Sequence, residues 1–186
     1  MLSRSALVWI GVWLIAAIAG FFGAKAFTIH QAPKVVMSTI EGAVAERAGG
    51  WNSCSHNRKF GPVHGGVKRA NPDSVVTVMA YDLSAGPVRV SGETWPDYWS
   101  LSLYQQNSDN FFVINDRQLP DAQFDFVISL PEHSVEANGA RRIDAPTEKG
   151  IMLIRRFIKE EADMAALLEN QDRMSCGPLV SQSPTP

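Results

Sequence analysis

The chain has 186 residues, of which 17 are basic and 19 are acidic, and 45% are hydrophobic. This length is enough for one domain with a substantial core. The weakly negative net charge of −2 argues against a nucleic-acid-binding protein, which needs a basic face.

The N-terminal segment is an uncharged, apolar run from Ser5 to Ala24, bounded by Arg4 and Lys25. As a helix, it would be ~30 Å long, which matches the hydrocarbon core of a bilayer. We therefore predict that residues 1–27 form a transmembrane anchor and that the domain after it is exported.

A cleaved signal peptide is the alternative, because Ala24-Lys25-Ala26 resembles a cleavage site before Phe27. The apolar run is longer than the ~7–15 residues of a typical signal-peptide core. This length favours an uncleaved anchor.

A second helix is predicted at Lys34–Ala48, before the glycine pair at 49–50. We expect residues 28–50 to link the membrane to the domain. The residues predicted to form one helical stripe are Val36, Ile40, Ala43, Val44 and Arg47.

Residues 51–179 are predicted to form a mainly β (α+β) domain, an antiparallel sandwich or barrel with a C-terminal helix. Turn residues separate short runs rich in β-forming residues. The predicted strands are Ser74–Tyr81, Gly86–Ser91, Asp97–Gln105, Phe111–Ile114, Gln123–Leu130 and Gly150–Phe157. The predicted closing helix is Glu161–Met174, and residues 180–186 are expected to be disordered.

The loop from Gly49 to Pro72 is long, rich in glycine and free of acidic residues. It contains His56 and His64, but no nearby carboxylate or spacing typical of a metal site. We therefore predict no metal and no cofactor. A loop of this length is either functional or a basic segment near anionic lipid headgroups.

The two cysteines, Cys54 and Cys176, are far apart in sequence and show no zinc-type spacing. In an oxidising compartment they could form one disulfide that ties the start of the domain to its end. The other interpretation is two independent buried thiols.

Several segments of the β region follow one another in a characteristic order. They are Asn71-Pro72-Asp73-Ser74-Val75, Tyr81–Val88, Tyr98–Tyr104, Asp109-Asn110-Phe111, Asn115-Asp116-Arg117 and Pro146-Thr147 with Gly150 and Arg155-Arg156. Together they resemble the bacterial domain-of-unknown-function family 1254, especially its short, membrane-anchored form. The resemblance covers roughly residues 51–179 and implies a β-rich fold. With the predicted anchor, a short N-terminal tail and the possible disulfide, we expect the chain in the bacterial inner membrane with its soluble domain in the periplasm.

The resemblance also implies a candidate ligand-binding set at one end of a sheet, where loops of β scaffolds often bind ligands. An arginine beside amides and aromatics suits a polar or anionic ligand. We further expect Asp73 and Arg117 to lie within reach of each other or of one pocket. The candidate residues are Asn71, Asp73, Tyr98, Asp109, Asn110, Asn115, Asp116 and Arg117.

Two classes of function follow. The favoured one is a non-catalytic envelope module that binds a ligand or a protein, because no nucleophile–base pair or metal set is visible. The alternative is a hydrolase that uses Asp73 or Asp116 as a general base. At the level of single residues, turn and strand-start chemistry also explains most of the candidate set.

The resemblance implies a partner as well, because longer relatives join this domain to a second β domain. Those relatives often have an aspartate and a threonine where this chain has Gln105 and Ser108. We expect a separate partner that resembles the second domain, or self-association. The aromatic residues predicted to contribute to the contact are Tyr81, Trp95, Tyr98, Trp99 and Tyr104.

Overall fold

The structure is a computed structural model that describes residues 3–59, 71 and 73–179. A long N-terminal helix leads into two packed β-sheets, with a short helix near the C-terminus. This arrangement confirms the predicted mainly β fold. The expected disorder of residues 180–186, and the prediction for His64 and most of its loop, lie outside the described residues.

The N-terminal helix, α1, extends without interruption over Arg4–Ala48. The Ser3 hydroxyl oxygen accepts a hydrogen bond from a first-turn N–H, and Gly49 ends the helix in the left-handed conformation at φ 79°. The two predicted helical segments are therefore one helix, which continues through Pro33. Its length and composition fit a membrane span, and they also fit a signal sequence.

In the part of the chain that the structure describes, nine strands form two sheets. Sheet A has the order β1-β2-β8-β4-β5 and is antiparallel, and sheet B has the order β7-β6-β3-β9, with β6 and β7 parallel. The strands of sheet A are β1 (Cys54–His56), β2 (Ser74–Asp82), β4 (Trp99–Gln105), β5 (Asn110–Asn115) and β8 (Lys149–Phe157). Those of sheet B are β3 (Val88–Glu93), β6 (Gln123–Ser129), β7 (Arg141–Asp144) and β9 (Ser175–Pro178).

The main core lies between the sheets and follows from the two-residue period of a strand. In β2, the side chains of Val75, Thr77, Met79 and Tyr81 point inward and are buried. Ala80 is also buried although it points to the outer face. The reason is that α1 covers this part of the outer face.

The C-terminal half of α1 packs on sheet A through small residues. Val44 and Ala45 contact Ala80, with Val78 beside them. At this point of contact, the small side chains of Ala45 and Ala80 let the helix approach the sheet closely. Farther toward the N-terminus of α1, the carbonyl oxygen of Pro33 lies 3.5 Å from the hydroxyl oxygen of Ser108, in the β4–β5 turn.

The packed face of α1 differs from the predicted stripe. Met37, Glu41, Val44 and Ala45 are the buried residues of the helix. Of the predicted stripe, only Val44 is buried, and its other members are exposed. The period of the apolar residues was read correctly as helical, but the sheet lies against a neighbouring face.

The C-terminal region also differs from the prediction of one closing helix. A short 3₁₀ turn (Glu161–Asp163) leads into α2 (Met164–Asp172), and the chain then adds β9 to sheet B. Cys176 in β9 and Cys54 in β1 are joined by a disulfide. Each of these strands is the last one in its sheet, so the disulfide connects the two sheets at one edge.

Candidate functional site

An open cleft of about 480 Å³ lies at the end of sheet A where β4 begins and β5 ends. We call it the sheet-end cleft. It is formed by the segment before β4 and by the turn after β5. Its lining residues are Thr94, Trp95, Pro96, Asp97, Tyr98, Trp99, Asp116, Arg117, Leu119, Pro120 and Asp121.

Two tryptophans give the cleft a rigid base. The Trp95 indole N–H donates a hydrogen bond of 2.7 Å to the carbonyl oxygen of Phe157. Trp99 is buried and stacks on Phe124, with ring centroids 5.8 Å apart. Both rings are therefore held in place by the core before any ligand arrives.

Tyr98 presents an aromatic surface to solvent at the rim. Its side chain is exposed, with 49% of the residue surface accessible, whereas its neighbour Trp99 is 2% accessible. The alternation of side chains along an extended segment explains why one ring is buried and the other is not. An exposed, amphipathic ring fixed at a cleft is suited to stacking against a ligand.

The carboxylates of the cleft differ in their hydrogen bonding. Asp97 accepts hydrogen bonds from Lys159 Nζ at 2.6 Å and from the main-chain N–H of Tyr98 at 2.9 Å. The bond from Lys159 is the main cause that lowers the pKa of the Asp97 carboxyl. In contrast, Asp116 Oδ1 is buried and has no hydrogen-bond partner among the described residues.

A buried carboxylate oxygen without a donor carries a desolvation cost. A ligand that supplies an O–H or N–H group would remove this cost. The guanidinium of Arg117, beside Asp116 in the lining, forms no ion pair within the described part of the chain. The cleft therefore offers a free acceptor, a free cation and an aromatic ring.

The charges of the lining residues favour a polar ligand over the anionic one that the sequence also allowed. Three aspartates and one arginine line the cleft, and Lys159 pairs with only one of the aspartates. The excess of carboxylates disfavours an anion. A polar ligand that donates hydrogen bonds fits the cleft better.

The structure brings Tyr98, Asp116 and Arg117 into one cleft. Asn115 supports them, because its side-chain oxygen accepts a hydrogen bond of 3.1 Å from the main-chain N–H of Arg117. This is the arrangement of an Asx turn, which fixes the residues that follow β5.

Asn71 and Asp73 lie at the same end of sheet A, but at the start of β2. The Asn71 side chain accepts a hydrogen bond from the N–H of Asp73 and donates one to Ser74 Oγ. These two bonds form a turn immediately before β2. Because β8 and β4 lie between β2 and β5, the two strands are about 14 Å apart across the sheet by the usual strand spacing. Only Arg117 lines the sheet-end cleft, so the structure does not bring Asp73 and Arg117 together.

Asp109 and Asn110 lie at the opposite end of sheet A, in the β4–β5 turn and at the start of β5. Their side chains make local bonds: the Asp109 carboxylate accepts from Asn107 at 2.7 Å, and the Asn110 amide donates to the carbonyl of Leu103 at 3.1 Å. The prediction that they join Asp116 at one sheet end is wrong. In an antiparallel hairpin, the turn and the far end of the second strand are necessarily at opposite ends.

Sequence reasoning missed Trp95, Asp97 and Asp121 as part of the site. The signals were two short segments with proline before aspartate, Trp95-Pro96-Asp97 and Pro120-Asp121, on either side of the predicted strands. Within the described residues, no group of three or more His, Cys, Asp or Glu side chains could hold a metal ion.

The predicted aromatic contact surface is mostly core. Tyr81, Trp95 and Trp99 are buried, and Tyr104 is partly buried. The hydroxyl of Tyr81 donates a hydrogen bond of 3.1 Å to the carbonyl oxygen of Tyr104. Of the five aromatics, only Tyr98 is exposed, and it lies at the cleft.

A comparison with known protein families identifies the family of this chain. A family model described as "Protein of unknown function (DUF1254)" matches residues 51–178. The chain belongs to this family, as the order of its motifs suggested. No curated protein matches the sequence significantly.

Solved structures similar to this chain include those of two bacterial proteins. The VPA0106 protein of Vibrio parahaemolyticus is 16% identical, with a TM-score of 0.52, over 63% of this chain and 33% of its own. An uncharacterized protein of Burkholderia cenocepacia is 14% identical, with a TM-score of 0.45, over 88% of this chain and 44% of its own. The first likeness shows a shared fold, and this chain spans about a third of the length of that protein.

Proposed function

We propose that this chain is a membrane-anchored binding module of the bacterial envelope, and that the sheet-end cleft binds a hydroxyl-rich polar ligand of the saccharide class. The observation that carries this proposal is the buried Oδ1 of Asp116, which has no partner among the described residues, in a cleft that the exposed Tyr98 also lines. Carboxylate acceptors and a stacking ring complement the O–H groups and the apolar ring face of a sugar.

The proposed location places the anchor in the inner membrane and the domain in the periplasm. The apolar helix α1 supports the anchor. The disulfide between Cys54 and Cys176 supports an oxidising compartment on the far side of the membrane. A ligand of the cell envelope would be accessible to the cleft there.

The hydrolase alternative is less well supported. Asp73 lies outside the cleft, and the hydroxyl of Thr94 in the lining is bonded to the carbonyl oxygen of Asp121 at 2.9 Å. Asp116 is the carboxylate in the cleft that could act as a general base. The binding experiment distinguishes this role from binding alone.

The test uses the full chain in detergent micelles and soluble envelope oligosaccharides, with binding followed by saturation-transfer NMR and calorimetry. The variants are Asp116→Asn and Tyr98→Ala. The matched control is Asp109→Asn, at the opposite end of the same sheet. We expect Asp116→Asn to weaken binding by about 10-fold or more, because hydrogen bonds to charged groups contribute about 1.5–3 kcal/mol.

The same samples are analysed for cleaved products. Equal affinity in the wild type, Asp116→Asn and Asp109→Asn would count against the cleft as the site. Product formation that stops in Asp116→Asn while binding remains would favour the hydrolase instead.

We also propose that the module acts with a partner that resembles the second domain of longer relatives, or with a second copy. The supporting surface is the exposed apolar stripe of α1, which includes Val36 and Ile40. Of the aromatics first expected at the contact, only Tyr98 is exposed, and it lies at the cleft. Cross-linking from cysteines placed at 36 and 40, with mass spectrometry of the products, tests it. Recovery of the uncross-linked monomer alone would argue against any partner on this face.

A further inference from the structure

Arg156 is a cation inside the core of the domain. Its residue surface is 1% accessible, and it points inward from β8. One guanidinium nitrogen donates to Thr77 Oγ1 at 3.1 Å and the other to Met174 Sδ at 2.8 Å. Both acceptors are uncharged, so neither balances the positive charge.

The chain supplies no carboxylate side chain for this guanidinium. All acidic residues of the sequence lie within the described ranges, because the segments outside them contain no Asp or Glu. None of the ion pairs in those ranges includes Arg156. Burial lowers the pKa of Arg156 to about 10, which still leaves it charged at neutral pH.

The surroundings of Arg156 include His56, which shares the Thr77 hydroxyl as a hydrogen-bond partner, and Gln171, whose amide nitrogen donates to the carbonyl oxygen of Asn57, the residue after His56. His56 Nδ1 lies 3.0 Å from the same Thr77 hydroxyl. The pKa of His56 is lowered by burial first, and then by the nearby Arg58 and Arg156. Gln171 is fully buried, and its Oε1 has no partner in the described part of the chain.

The acidic side chain close to His56, Asp172, is already engaged. Asp172 pairs with Arg58 at 2.5 Å on the surface, and the pKa of Asp172 is lowered chiefly by that bond. It therefore compensates Arg58 rather than the buried guanidinium. A buried charge without a counter-charge is strongly unfavourable.

We propose that Arg156 is the anchor of a binding site for a small oxoanion, of the phosphate, sulfate or carboxylate class, between β8, β1 and α2. An oxoanion would supply the missing negative charge and would match the planar fork of a guanidinium. Thr77 and His56 lie beside the guanidinium of Arg156 and would line the proposed site. Arg156 is the cross-strand neighbour of Trp99 at the base of the sheet-end cleft. Its guanidinium, however, contacts Thr77 in β2 and Met174 after α2, and neither of these residues lines the cleft.

The test measures thermal unfolding of the full chain in detergent with added sodium phosphate, sulfate or acetate, each at millimolar concentration and at ionic strength matched with sodium chloride. Low concentrations matter, because sulfate and phosphate at high concentration stabilise most proteins by exclusion. The variants are Arg156→Met and the matched control Arg155→Met, since Arg155 is the adjacent residue and is less buried.

We expect at least one of these anions to raise the Tm of the wild type and of Arg155→Met in a saturable way. The rise should be roughly 5–10 °C at a hundredfold excess over Kd, and it should be lost in Arg156→Met. An equal rise in all three proteins, or no saturable rise in the wild type with any of the three, would overturn the proposal.

A direct measurement keeps the proposal testable if Arg156→Met does not fold. Calorimetric titration of the wild type with the same three anions should show saturable binding, and Arg156→Lys, which keeps the charge but loses the fork, should bind at least about 10-fold more weakly. The absence of saturable binding to the wild type, or unchanged affinity in Arg156→Lys, rejects the site.

Discussion

Cys54 in β1 and Cys176 in β9 are joined by a disulfide, with their Cα atoms 5.7 Å apart. The two cysteines are 122 residues apart in sequence, and their strands are the outer strands of different sheets. The bond therefore holds the two layers of the sandwich together at one edge. It also closes most of the domain into one covalent loop.

We predict that Cys54→Ala/Cys176→Ala lowers the free energy of unfolding by about 2–5 kcal/mol, because a long loop restricts the unfolded chain. Chemical denaturation of the double variant and of the oxidised wild type measures this. Reductant should lower the midpoint of the wild type and leave the double variant unchanged. A wild-type midpoint that does not respond to reductant would contradict the prediction.

Gly150 faces the hydroxyl of Tyr81 and the carbonyl oxygen of Tyr104, and a Cβ at this position would clash with both. We predict that Gly150→Ala destabilises the domain by about 2–4 kcal/mol, through overpacking and loss of the Tyr81 hydrogen bond. Denaturation of Gly150→Ala gives the value. Gly177→Ala is the control, because a Cβ there meets nothing, and it should change stability by less than about 0.5 kcal/mol. Similar losses in both variants would refute this explanation.

Glu41 is buried between α1 and sheet A, and its Oε1 has no partner among the described residues. Burial raises the pKa of Glu41, the charge of Lys149 opposes this shift, and Asp82 adds to it. A raised pKa in the folded state means that the contribution of Glu41 to stability is complete below about pH 4.5 and is lost as the pH rises through the folded-state pKa.

We therefore predict that Glu41→Gln has a higher Tm than the wild type at pH 7, and that the difference shrinks as the pH falls toward about 4.5. Thermal unfolding of both proteins between these pH values measures the difference. Glu46→Gln, on the exposed side of the same helix, should show no such trend. A Glu41→Gln variant that is less stable at pH 7, or a constant difference, would show that the carboxylate stabilises the docked helix.

The proposed topology predicts that external protease digests the domain in spheroplasts but leaves a membrane-protected fragment that includes Ser5–Ala24. The fragment should be detectable by mass spectrometry with an N-terminal tag. Deletion of residues 3–27 should release a soluble domain. Protection of the whole domain in intact spheroplasts, with digestion only after lysis, would reverse the assignment.

Local sequence patterns were sufficient to predict where the helices and the longer strands lie in the chain. The uncharged run from Ser5 to Ala24 predicted a helix, and alternating β-forming residues predicted six strands. Four of these, β2, β5, β6 and β8, match within one residue at each end. These features depend on neighbours in the chain, so they can be read from the sequence. The short strands β1, β7 and β9 were not predicted, because three or four residues carry too little periodicity.

The residues of the candidate site could not all be predicted from local sequence patterns. In the sequence, Asp109 and Asp116 look alike, because each lies in a turn next to a predicted strand. The β4–β5 hairpin nevertheless places them at opposite ends of sheet A. Only Asp116 lines the cleft. Likewise, the repeat of apolar residues gave the helical period of α1, while the sheet selected Met37 and Ala45 as its packed face. The sequence by itself determined the positions of the helices and of the six longer strands. Only the tertiary structure decided which side chains meet, because pairing of distant strands sets the sheet ends, and docking sets the helix rotation.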